Sequence, residues 1–457
     1  MVRLSPQAFV RHADGESLLW QRRTNARAVL PGAEPFLRPL RKEWREVGDL
    51  VADVAAEHGI EPAGADSSAL GALRAEYGGF LSFLADRGFL ERREDAKAPV
   101  RAARPDWSTP SDFFLRHERP AELHLDLAGS CTERCIHCYW PDHPARFLPV
   151  EVADKVLREF RAEQGLSVHL SGGECLLHPD FRTIASRAKE LDLDVVVLSN
   201  LTECDESAAT FLADLDPQFV SASLYSADPA EHDAVTRRPG SWRETTNALR
   251  RLEEAGVPFR ISVPVLRETA DSLPALARYA AERGWPLLLD SGLFARSDHD
   301  CGNLAHAADP AQLKALFRDH PDLFDRGGEA PATPAPDDRV CNAGRWRLFV
   351  SPDGDYYPCS GMHGWKIANA RDVSAGEIWR GETLERLRAL RLRDFPGCVS
   401  CGNRTFCKIC PAANFNATGS LFEPHSGTCA VAAARRESSR AVTCGVKTGA
   451  GAGRLMP

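Results

Sequence analysis

The sequence lacks the features of a membrane, secreted or nucleic-acid-binding protein. No stretch approaches the roughly 18 consecutive apolar residues of a membrane-spanning helix. The first residues, MVRLSPQAFVRHADGE, lack the apolar core of a signal peptide. The formal net charge is −8, so there is no basic excess that would favour nucleic acid. No paired carboxylates and no nucleophile beside a histidine stand out, so hydrolysis has no recognisable machinery. These absences predict a cytoplasmic protein.

What the chain does have is size and cysteine. A length of 457 residues predicts two to four domains, and a composition of 43% hydrophobic and 26% charged residues is ordinary for a globular protein. There are fourteen cysteines. In a large cytosolic chain, cysteines in clustered spacings indicate metal ligands rather than disulfides.

The first cluster is a C-x3-C-x2-C motif formed by Cys131, Cys135 and Cys138. It follows the short apolar run Leu123–Leu127, which alternates as a barrel strand does. Three thiolates on one loop can hold three irons of a [4Fe–4S] cluster and leave the fourth iron open to a small molecule. A structural zinc site is the alternative. Zinc prefers paired C-x2-C units that close four ligands, and no such pair lies nearby, so the spacing favours a catalytic cluster.

The stretch CTERCIHCYW resembles the cluster loop of radical S-adenosylmethionine (SAM) enzymes. The resemblance implies that SAM chelates the open iron of a [4Fe–4S] cluster through its amino and carboxylate groups. One electron then cleaves SAM to methionine and a 5′-deoxyadenosyl radical, which abstracts hydrogen from an unactivated carbon. The family's aromatic position before the third cysteine is His137 here.

Three further motifs follow predicted strands in the order of that family. SGGE resembles its GGE segment, in which glycine lets the backbone approach a ligand and an acceptor takes the methionine ammonium of SAM. LSN matches a polar pair near SAM in many relatives, and SASLYS follows the fourth strand. Cys175 stands where the family most often has proline, and we expect a packed thiol there. The residues expected to contact SAM are Gly172, Gly173, Glu174, Ser199, Asn200 and Ser223.

Strand and helix patterns alternate between residues 121 and 295. Six such units are too few to close an eight-fold barrel, but they match the open (β/α)6 barrel of the radical SAM family. The predicted fold class is α/β. It combines a partial, TIM-like (β/α)6 barrel with an N-terminal winged-helix-like α/β module and a C-terminal cysteine-rich SPASM domain. The strand candidates are Leu123–Leu127, Ser167–Leu170, Val195–Leu198, Phe219–Leu224, Phe259–Val265 and Leu287–Leu289.

The turn residues and apolar spacing of residues 1–92 predict a hairpin that turns at Asp14–Gly15. Two amphipathic helices follow, and they end at Gly59 and Gly88. This order is similar to the PqqD-like peptide-recognition domain of ribosomal-peptide maturases, which adds a leader peptide as a strand to its sheet edge. The alternative is a stability module without a ligand. Residues 93–120 predict a linker and residues 296–340 a second connector.

The second cysteine-rich region, 341–430, follows the pattern C-x12-G-x4-C, then C-x2-C-x5-C-x2-C, then a final cysteine. It resembles the SPASM domain, which holds two auxiliary [4Fe–4S] clusters, although the family's last internal spacing is usually C-x3-C. Two zinc-ribbon knuckles are the alternative. By analogy the first auxiliary cluster takes three thiols, with Cys301 a free thiol or its fourth ligand. The expected ligands are Cys341, Cys359 and Cys410 for the first cluster, and Cys398, Cys401, Cys407 and Cys429 for the second.

The tail, 431–457, is expected to begin as a helix and end disordered.

The resemblance therefore implies a radical SAM maturase that installs a thioether or carbon–carbon crosslink in a ribosomally made precursor peptide. Its partners would be that peptide and a reduced ferredoxin or flavodoxin. A peptide epimerase remains open, as does a non-catalytic binding scaffold. A formylglycine-type maturase is disfavoured, because those relatives place an aspartate after the cysteine that corresponds to Cys359, where this chain has Ser360 and Gly361.

Overall fold

The computed structural model describes residues 1–60, 67–93, 110–324 and 332–445. The predictions for most of the first linker and for the end of the tail lie outside these ranges. Within them, no helix combines the length and apolar character needed to cross a membrane.

The N-terminal module is a small α/β unit, as its hairpin and helix patterns predict. Its three-stranded antiparallel sheet has the order β2–β3–β4, and the predicted hairpin turns through Asp14 and Gly15, whose φ angles are 49° and 80°. The third strand and the pairing of β1 with β5 have no counterpart in the sequence prediction. The elements are β1 (Val2–Leu4), β2 (Ala8–Ala13), β3 (Glu16–Gln21), β4 (Ala26–Pro31), α1 (Glu34–Leu37), α2 (Val47–Glu57), α3 (Ser67–Asp86) and β5 (Leu90–Arg92).

The central sheet contains the six predicted parallel strands, β6 to β11 in sequence order. In β6, Leu123, Leu125 and Leu127 belong to the large hydrophobic core under the helices, while the alternate residues face the inside of the open barrel. The elements are α4 (Ser111–Arg116), β6 (Glu122–Ala128), α5 (Val150–Ala162), β7 (Ser167–Gly172), α6 (Phe181–Glu190), β8 (Asp194–Ser199), α7 (Glu206–Leu215), β9 (Phe219–Ser223), α8 (Pro229–Thr236), α9 (Ser241–Glu254), β10 (Phe259–Pro264), α10 (Leu273–Glu282) and β11 (Leu287–Asp290).

The C-terminal region extends this sheet instead of standing apart from it. Strand β12 pairs in parallel with β6, so that Arg347 lies opposite Glu122, and a hairpin carries the sheet on to β13 and β14. The elements are α11 (Pro310–Asp319), β12 (Arg347–Val350), β13 (Asp355–Tyr357), β14 (Ala368–Asn369), α12 (Ala375–Arg380), α13 (Glu382–Ala389), α14 (Pro396–Val399), α15 (Pro411–Thr418) and α16 (Ser426–Gly445). Short 3₁₀ helices cover Cys175–Leu177, Ala270–Ser272, Gly302–His306, Pro321–Leu323, Leu392–Asp394 and Arg404–Phe406.

The open side of the barrel is bridged by α15. Asn416, a buried residue of this helix, donates to Ala295 O at 3.2 Å on the segment after β11 and to Gly361 O at 2.8 Å on the segment after β13. The two edges of the parallel sheet are thus connected through the C-terminal region. The predicted fold class is confirmed: an open (β/α)6 barrel lies between an N-terminal α/β unit and a cysteine-rich C-terminal region.

The N-terminal module docks on the loops that lead into the barrel strands. Arg11 pairs with Asp192 at 2.9 Å, and Arg22 pairs with Asp194 at 2.7 Å and Asp216 at 2.5 Å. All three carboxylates lie just before a strand or at its first residue, so the module covers the amino end of the sheet. Active sites of such barrels lie at the opposite, carboxyl end.

An aromatic cluster reinforces the contact. Phe113 and Phe114 of α4 are buried with Trp20 of the module and Leu166 at the start of β7, and Trp346 packs against them. Phe113 and Phe114 therefore anchor the end of the linker to both the module and the barrel.

Candidate functional site

The thiols of the C-x3-C-x2-C motif lie on the loop after β6, at the carboxyl end of the sheet. Burial raises the pKa of Cys131 to about 12, and it also raises the pKa of Cys135 and Cys138. The carboxylates of Glu174 and Glu133 raise the pKa of Cys131 further. Free thiolates are therefore unfavourable here. Bound iron would remove that penalty, because a coordinating thiol is deprotonated outright.

The spacing of the thiols also fits a cluster. Among the described residues, no three His, Cys, Asp or Glu side chains converge in the way one metal ion requires. In a [4Fe–4S] cluster each cysteine binds a different iron, so its ligands surround a volume and do not meet at a point. The three-thiol loop is compatible with this arrangement.

Two glycines fix the base of the loop. A Cβ atom on Gly172, whose φ is +133°, would lie 2.3 Å from Ala128 O, and one on Gly173 would lie 2.4 Å from Ser130 O. Gly173 N donates to Ala128 O at 2.7 Å. The sequence argument assigns these glycines to ligand approach. The structure shows that they also let the end of β7 touch the backbone of the cysteine loop.

Glu174 connects two of the motifs, its own SGGE segment and LSN. Its carboxylate accepts hydrogen bonds from Leu176 N at 3.0 Å, Ser199 Oγ at 2.8 Å and Asn200 N at 2.8 Å. The side chain is fully buried, and burial raises its pKa. These contacts make Glu174 a brace between the ends of β7 and β8. None of these contacts involves SAM, so the contact of Glu174 with SAM stays a prediction.

Asn200 joins the end of β8 to the cysteine loop. Its Nδ2 donates to Thr132 Oγ1 at 2.9 Å and lies 3.6 Å from Cys131 Sγ. Its Oδ1 accepts from Thr202 N at 3.0 Å. The structure thus brings the predicted SAM residues Glu174, Ser199 and Asn200 to the side of Cys131.

Ser223, at the end of β9, reaches the same loop through Tyr225. Burial raises the pKa of Tyr225, whose hydroxyl hydrogen-bonds Ser223 and lies 3.7 Å from Cys135 Sγ. Its backbone N donates to His232 Nδ1 at 3.1 Å. The structure thus packs Tyr225 against Cys135, and His232 holds the backbone of this segment in place.

The C-terminal thiols that precede β12, follow β13 and begin α15 form one group. Burial raises the pKa of Cys359 to about 12, and its nearest charged neighbours include the sulfurs of Cys341 and Cys410. Cys410 in turn lies near Cys341. The exposed Cys301 thiol lies near the carbonyl oxygens of His299 and Ala417, and no described contact joins it to this group.

The remaining four thiols form a second group. Cys407 has Cys429, Cys398 and Cys401 as its sulfur neighbours, and Cys398 has Cys429 and Cys401. Cys429 belongs to α16, so this helix supplies the fourth thiol of the group. The structure therefore brings together the same two sets of thiols that the resemblance implies.

The sequence argument misses a polar row inside the barrel. Glu122 Oε1 lies 2.7 Å from the Arg347 guanidinium and 3.0 Å from His169 Nδ1. Burial opposes its ionisation, but both neighbours lower its pKa below the usual value. Further along β6, His124 Nε2 lies 3.1 Å from Asp126 Oδ1. The signal is present in ELHLDLA, where polar residues alternate with leucine.

Near the cysteine loop, the buried polar atoms without a hydrogen-bond partner among the described residues include Asp126 Oδ2, Glu133 Oε1, His137 Nδ1 and Asn303 Oδ1. Buried polar atoms are normally paired. Burial also lowers the pKa of His137 to about 4, so that it is neutral at pH 7. These atoms suit the wall of a chamber that receives a polar ligand beside the cluster.

Two family models match the chain. The Radical SAM superfamily matches residues 127–280, which contain the cysteine loop and the residues that brace it. The iron-sulfur cluster-binding SPASM domain matches residues 341–410. The presence of both domains establishes a SAM-binding [4Fe–4S] cluster and auxiliary iron–sulfur clusters as cofactors.

The relatives with similar sequences have names that describe different reactions. The AdoMet-dependent heme synthase of Methanosarcina barkeri (strain Fusaro) is 26% identical over 339 residues, covering 66% of this chain and 95% of that protein. The mycofactocin maturase MftC of Mycobacterium ulcerans (strain Agy99) is 29% identical over 326 residues, covering 65% of this chain and 85% of that protein.

A solved structure extends the likeness to nearly the whole fold. Streptococcus suis SuiB, bound to its precursor peptide SuiA, has a TM-score of 0.60 and 16% sequence identity, and the match covers 94% of this chain and 100% of SuiB. At that identity the match concerns the fold.

Proposed function

Because the chain is a radical SAM enzyme with a SPASM domain, we propose that it modifies a ribosomally made precursor peptide and installs a thioether or carbon–carbon crosslink. The observation that carries the proposal is the division of its thiols into three on the loop after β6 and seven in the C-terminal region, next to one barrel. Two relatives support a peptide substrate: a mycofactocin maturase and SuiB bound to a precursor peptide.

The residues divide the work among themselves. Cys131, Cys135 and Cys138 would hold the SAM cluster, and the braced ends of β7, β8 and β9 would surround SAM. When bound, these groups supply a 5′-deoxyadenosyl radical that takes a hydrogen atom from an unactivated carbon. The buried side chains of Glu174 and Tyr225 would brace the ends of the strands around the loop. The residues assigned to SAM are Gly172, Gly173, Glu174, Ser199, Asn200 and Ser223.

The seven C-terminal cysteines would hold two auxiliary clusters in the two groups described above. The first group has three thiols close together, so one iron there has no assigned protein ligand. A substrate or a solvent molecule would complete that site.

Residues 1–92 would recognise the leader of the precursor. In the sheet β2–β3–β4, the β2 edge faces the barrel, where His12 N donates to Gln164 Oε1 at 3.0 Å. Strand β4 pairs with β3 alone among the described strands. Its residues alternate between half-buried and exposed, which suits the addition of an extended peptide to its free edge. A reduced ferredoxin or flavodoxin would supply electrons in the cytoplasm.

A second candidate is heme synthesis, favoured by the relative from Methanosarcina barkeri. That match covers 66% of this chain and the match to the mycofactocin maturase covers 65%, so sequence coverage does not separate the two candidates. The N-terminal module, to which we assign a peptide-binding role, favours the peptide substrate.

The test is anaerobic reconstitution with iron and sulfide, followed by SAM, dithionite and a candidate precursor peptide chosen from the short reading frames around this chain's gene. Loss of two hydrogens per event, together with 5′-deoxyadenosine, is the expected result. An unchanged mass with one deuterium gained per site in heavy water would instead identify an epimerase. Absence of 5′-deoxyadenosine from the fully loaded protein would overturn the proposal.

A further inference from the structure

A cleft of about 580 Å³ lies where the N-terminal module meets helices α5 and α6 of the barrel. It is separate from the cysteine loop, since its barrel residues lie near the amino end of the sheet. Its cationic lining consists of Arg38, Arg41, Lys42, Arg161 and Lys189.

The cations that dock the module and the cations that line the cleft differ in their pairing. Arg11 and Arg22 are buried, and both meet carboxylates at 2.9 Å or less. Arg41, by contrast, donates only to the carbonyl oxygens of Arg38 and Leu40 among the described residues. Arg38 pairs with Glu34 at 3.0 Å and Lys42 pairs with Asp192 at 2.6 Å, so these two cations already have carboxylate partners and Arg41 does not.

Arg161 and Lys189 are the most confined of them. The single ion pair of Arg161 within the described ranges is with Asp192, at 3.8 Å. Asp192 already serves Arg11 at 2.9 Å and Lys42 at 2.6 Å. Lys189 donates to a backbone oxygen, Asp216 O, at 3.1 Å. Burial lowers the pKa of Lys189, and it lowers that of Arg161 to about 10, with Arg11 as an additional repelling charge.

The carboxylates of the cleft do not balance these charges. Five cationic side chains line it against three acidic ones. Of the three, Asp192 is shared among several cations, and Glu190 pairs outside the cleft with Arg187 at 3.0 Å. Arg161 and Lys189 are half-buried, and burying a positive charge is costly unless an anion pairs with it. Arg41 is exposed and could meet the same anion at the rim of the cleft.

We propose that this cleft binds an acidic segment of the precursor peptide, a contact that rests on the proposed function. Its other lining explains why the ligand is a peptide and not a small anion. Leu4, Ala8, Val10, Leu37 and Leu40 supply an apolar floor between the charged side chains. A chain that alternates carboxylates with apolar side chains matches both the floor and the rim.

The segment also has a defined place relative to the leader. Ala8, Val10 and His12 lie at alternate positions of β2, so their side chains present one face of that strand to the cleft. The proposed leader strand lies at the other edge of the same sheet, on β4. One peptide would thus bind the module at two places, the edge of β4 and the cleft. Its acidic segment, in the cleft, would also contact the barrel.

The probe is a fluorescein-labelled twelve-residue peptide in which glutamate alternates with leucine, measured by fluorescence anisotropy with the full-length chain. A peptide with glutamine in place of glutamate is its control. We expect the Arg41→Gln/Arg161→Gln variant to bind the glutamate peptide about tenfold more weakly than the unchanged chain does. Arg41→Lys/Arg161→Lys keeps the charge and should recover most of the binding.

The matched control is Arg318→Gln/Arg386→Gln, which removes the same charge from two exposed arginines paired with Asp319 and Glu382. It should bind the peptide as the unchanged chain does. Equal binding by the cleft variant, or equal binding of the glutamine peptide, would overturn the proposal. Full competition by inorganic tripolyphosphate, with no requirement for leucine in the peptide, would also overturn it and assign the cleft to a free anion.

The two hypotheses fail separately. Anisotropy needs neither SAM nor reduction, and 5′-deoxyadenosine formed without peptide should be the same in the cleft variant and the unchanged chain. If the cleft proposal fails, the cleft variant crosslinks the precursor as the unchanged chain does. If the proposed function fails, no crosslink forms in any variant, whatever the anisotropy.

Discussion

The two ends of the parallel sheet use opposite chemistry. At the amino end, arginines of the N-terminal module pair with carboxylates just before the strands or at their first residues. At the carboxyl end, thiols, hydroxyls, an amide and a buried carboxylate with a raised pKa surround the cysteine loop. Charge is used to hold two parts of the chain together, and it is kept low where thiolates and a cationic cofactor must bind. Variants at the two ends should therefore affect different properties.

The largest effect is expected at the carboxyl end. Changing Cys131, Cys135 and Cys138 to alanine should remove about four irons per chain and abolish 5′-deoxyadenosine formation. The auxiliary iron should remain, and so should thermal stability. Iron analysis and chromatography of SAM products measure both effects. Cys175→Ala is the matched control, since that thiol is buried against Leu198 O at 3.2 Å. Unchanged SAM cleavage in the triple variant would contradict the assignment.

The next effect belongs to the amino end. Arg22→Met leaves Asp194, which is fully buried, without its cation, and should lower the free energy of unfolding by about 3–5 kcal/mol. Urea unfolding measures this loss, while the folded variant should keep its iron. Arg386→Met breaks an exposed pair with Glu382 and should change stability by less than about 0.5 kcal/mol. Equal losses in the two variants would show that the docking pairs contribute no more than surface charges do.

A smaller effect is expected where the strands touch the cysteine loop. Gly173→Ala would place its Cβ 2.4 Å from Ser130 O, a backbone atom with little room to move. We expect a loss of about 1–3 kcal/mol and weaker retention of iron on the loop during chelator treatment. Gly79→Ala, where nothing lies within 4 Å of the added atom, should retain iron as the unchanged chain does. Normal retention by Gly173→Ala would mean that the loop adapts.

The last effect is a pH dependence at the carboxyl end, and it is confined to acid conditions. Burial lowers the pKa of His232 from 6.5 to about 4, so the unfolded chain binds this proton at a higher pH than the folded chain does. Its contribution to stability is present above pH 6.5 and is lost as pH falls from 6.5 to about 4.

The variant His232→Asn keeps an acceptor for Tyr225 N and should lose less stability between pH 7 and pH 4. Thermal unfolding across this range measures the slope. The exposed His58→Asn is the control. A slope as steep in His232→Asn as in the unchanged chain would contradict the assignment.

The sequence is informative where structure is local. The barrel strands β6 to β9 are largely buried runs followed by helices, and the residues of each cysteine or glycine motif lie close together in the sequence. Both kinds of pattern depend on neighbouring residues alone, so they can be predicted from the sequence. Strand β4 is missed because its ARAVLP has no continuous apolar run and ends in proline, so its position depends on pairing with β3.

The contacts between motifs are less accessible from the sequence. Glu174 accepts hydrogen bonds from Ser199 Oγ and Asn200 N, which lie 25 and 26 positions further along the sequence, and no local pattern specifies these contacts. The same holds for the approach of Tyr225 to Cys135, since 90 positions separate the two residues. The two thiol groups in the C-terminal region follow from family resemblance, because spacing alone does not say which cysteines meet after folding.

The pairing of β12 with β6 has a consequence for synthesis of the chain. Trp346 and Glu122 are neighbours in the folded protein but 224 residues apart along the sequence. The first barrel strand therefore leaves the ribosome long before its outer neighbour exists, and its backbone edge must wait unpaired. At typical translation rates β6 stays unpaired on this side for on the order of 10–40 s. A truncated chain that ends before β12 would keep this unpaired, aggregation-prone edge permanently.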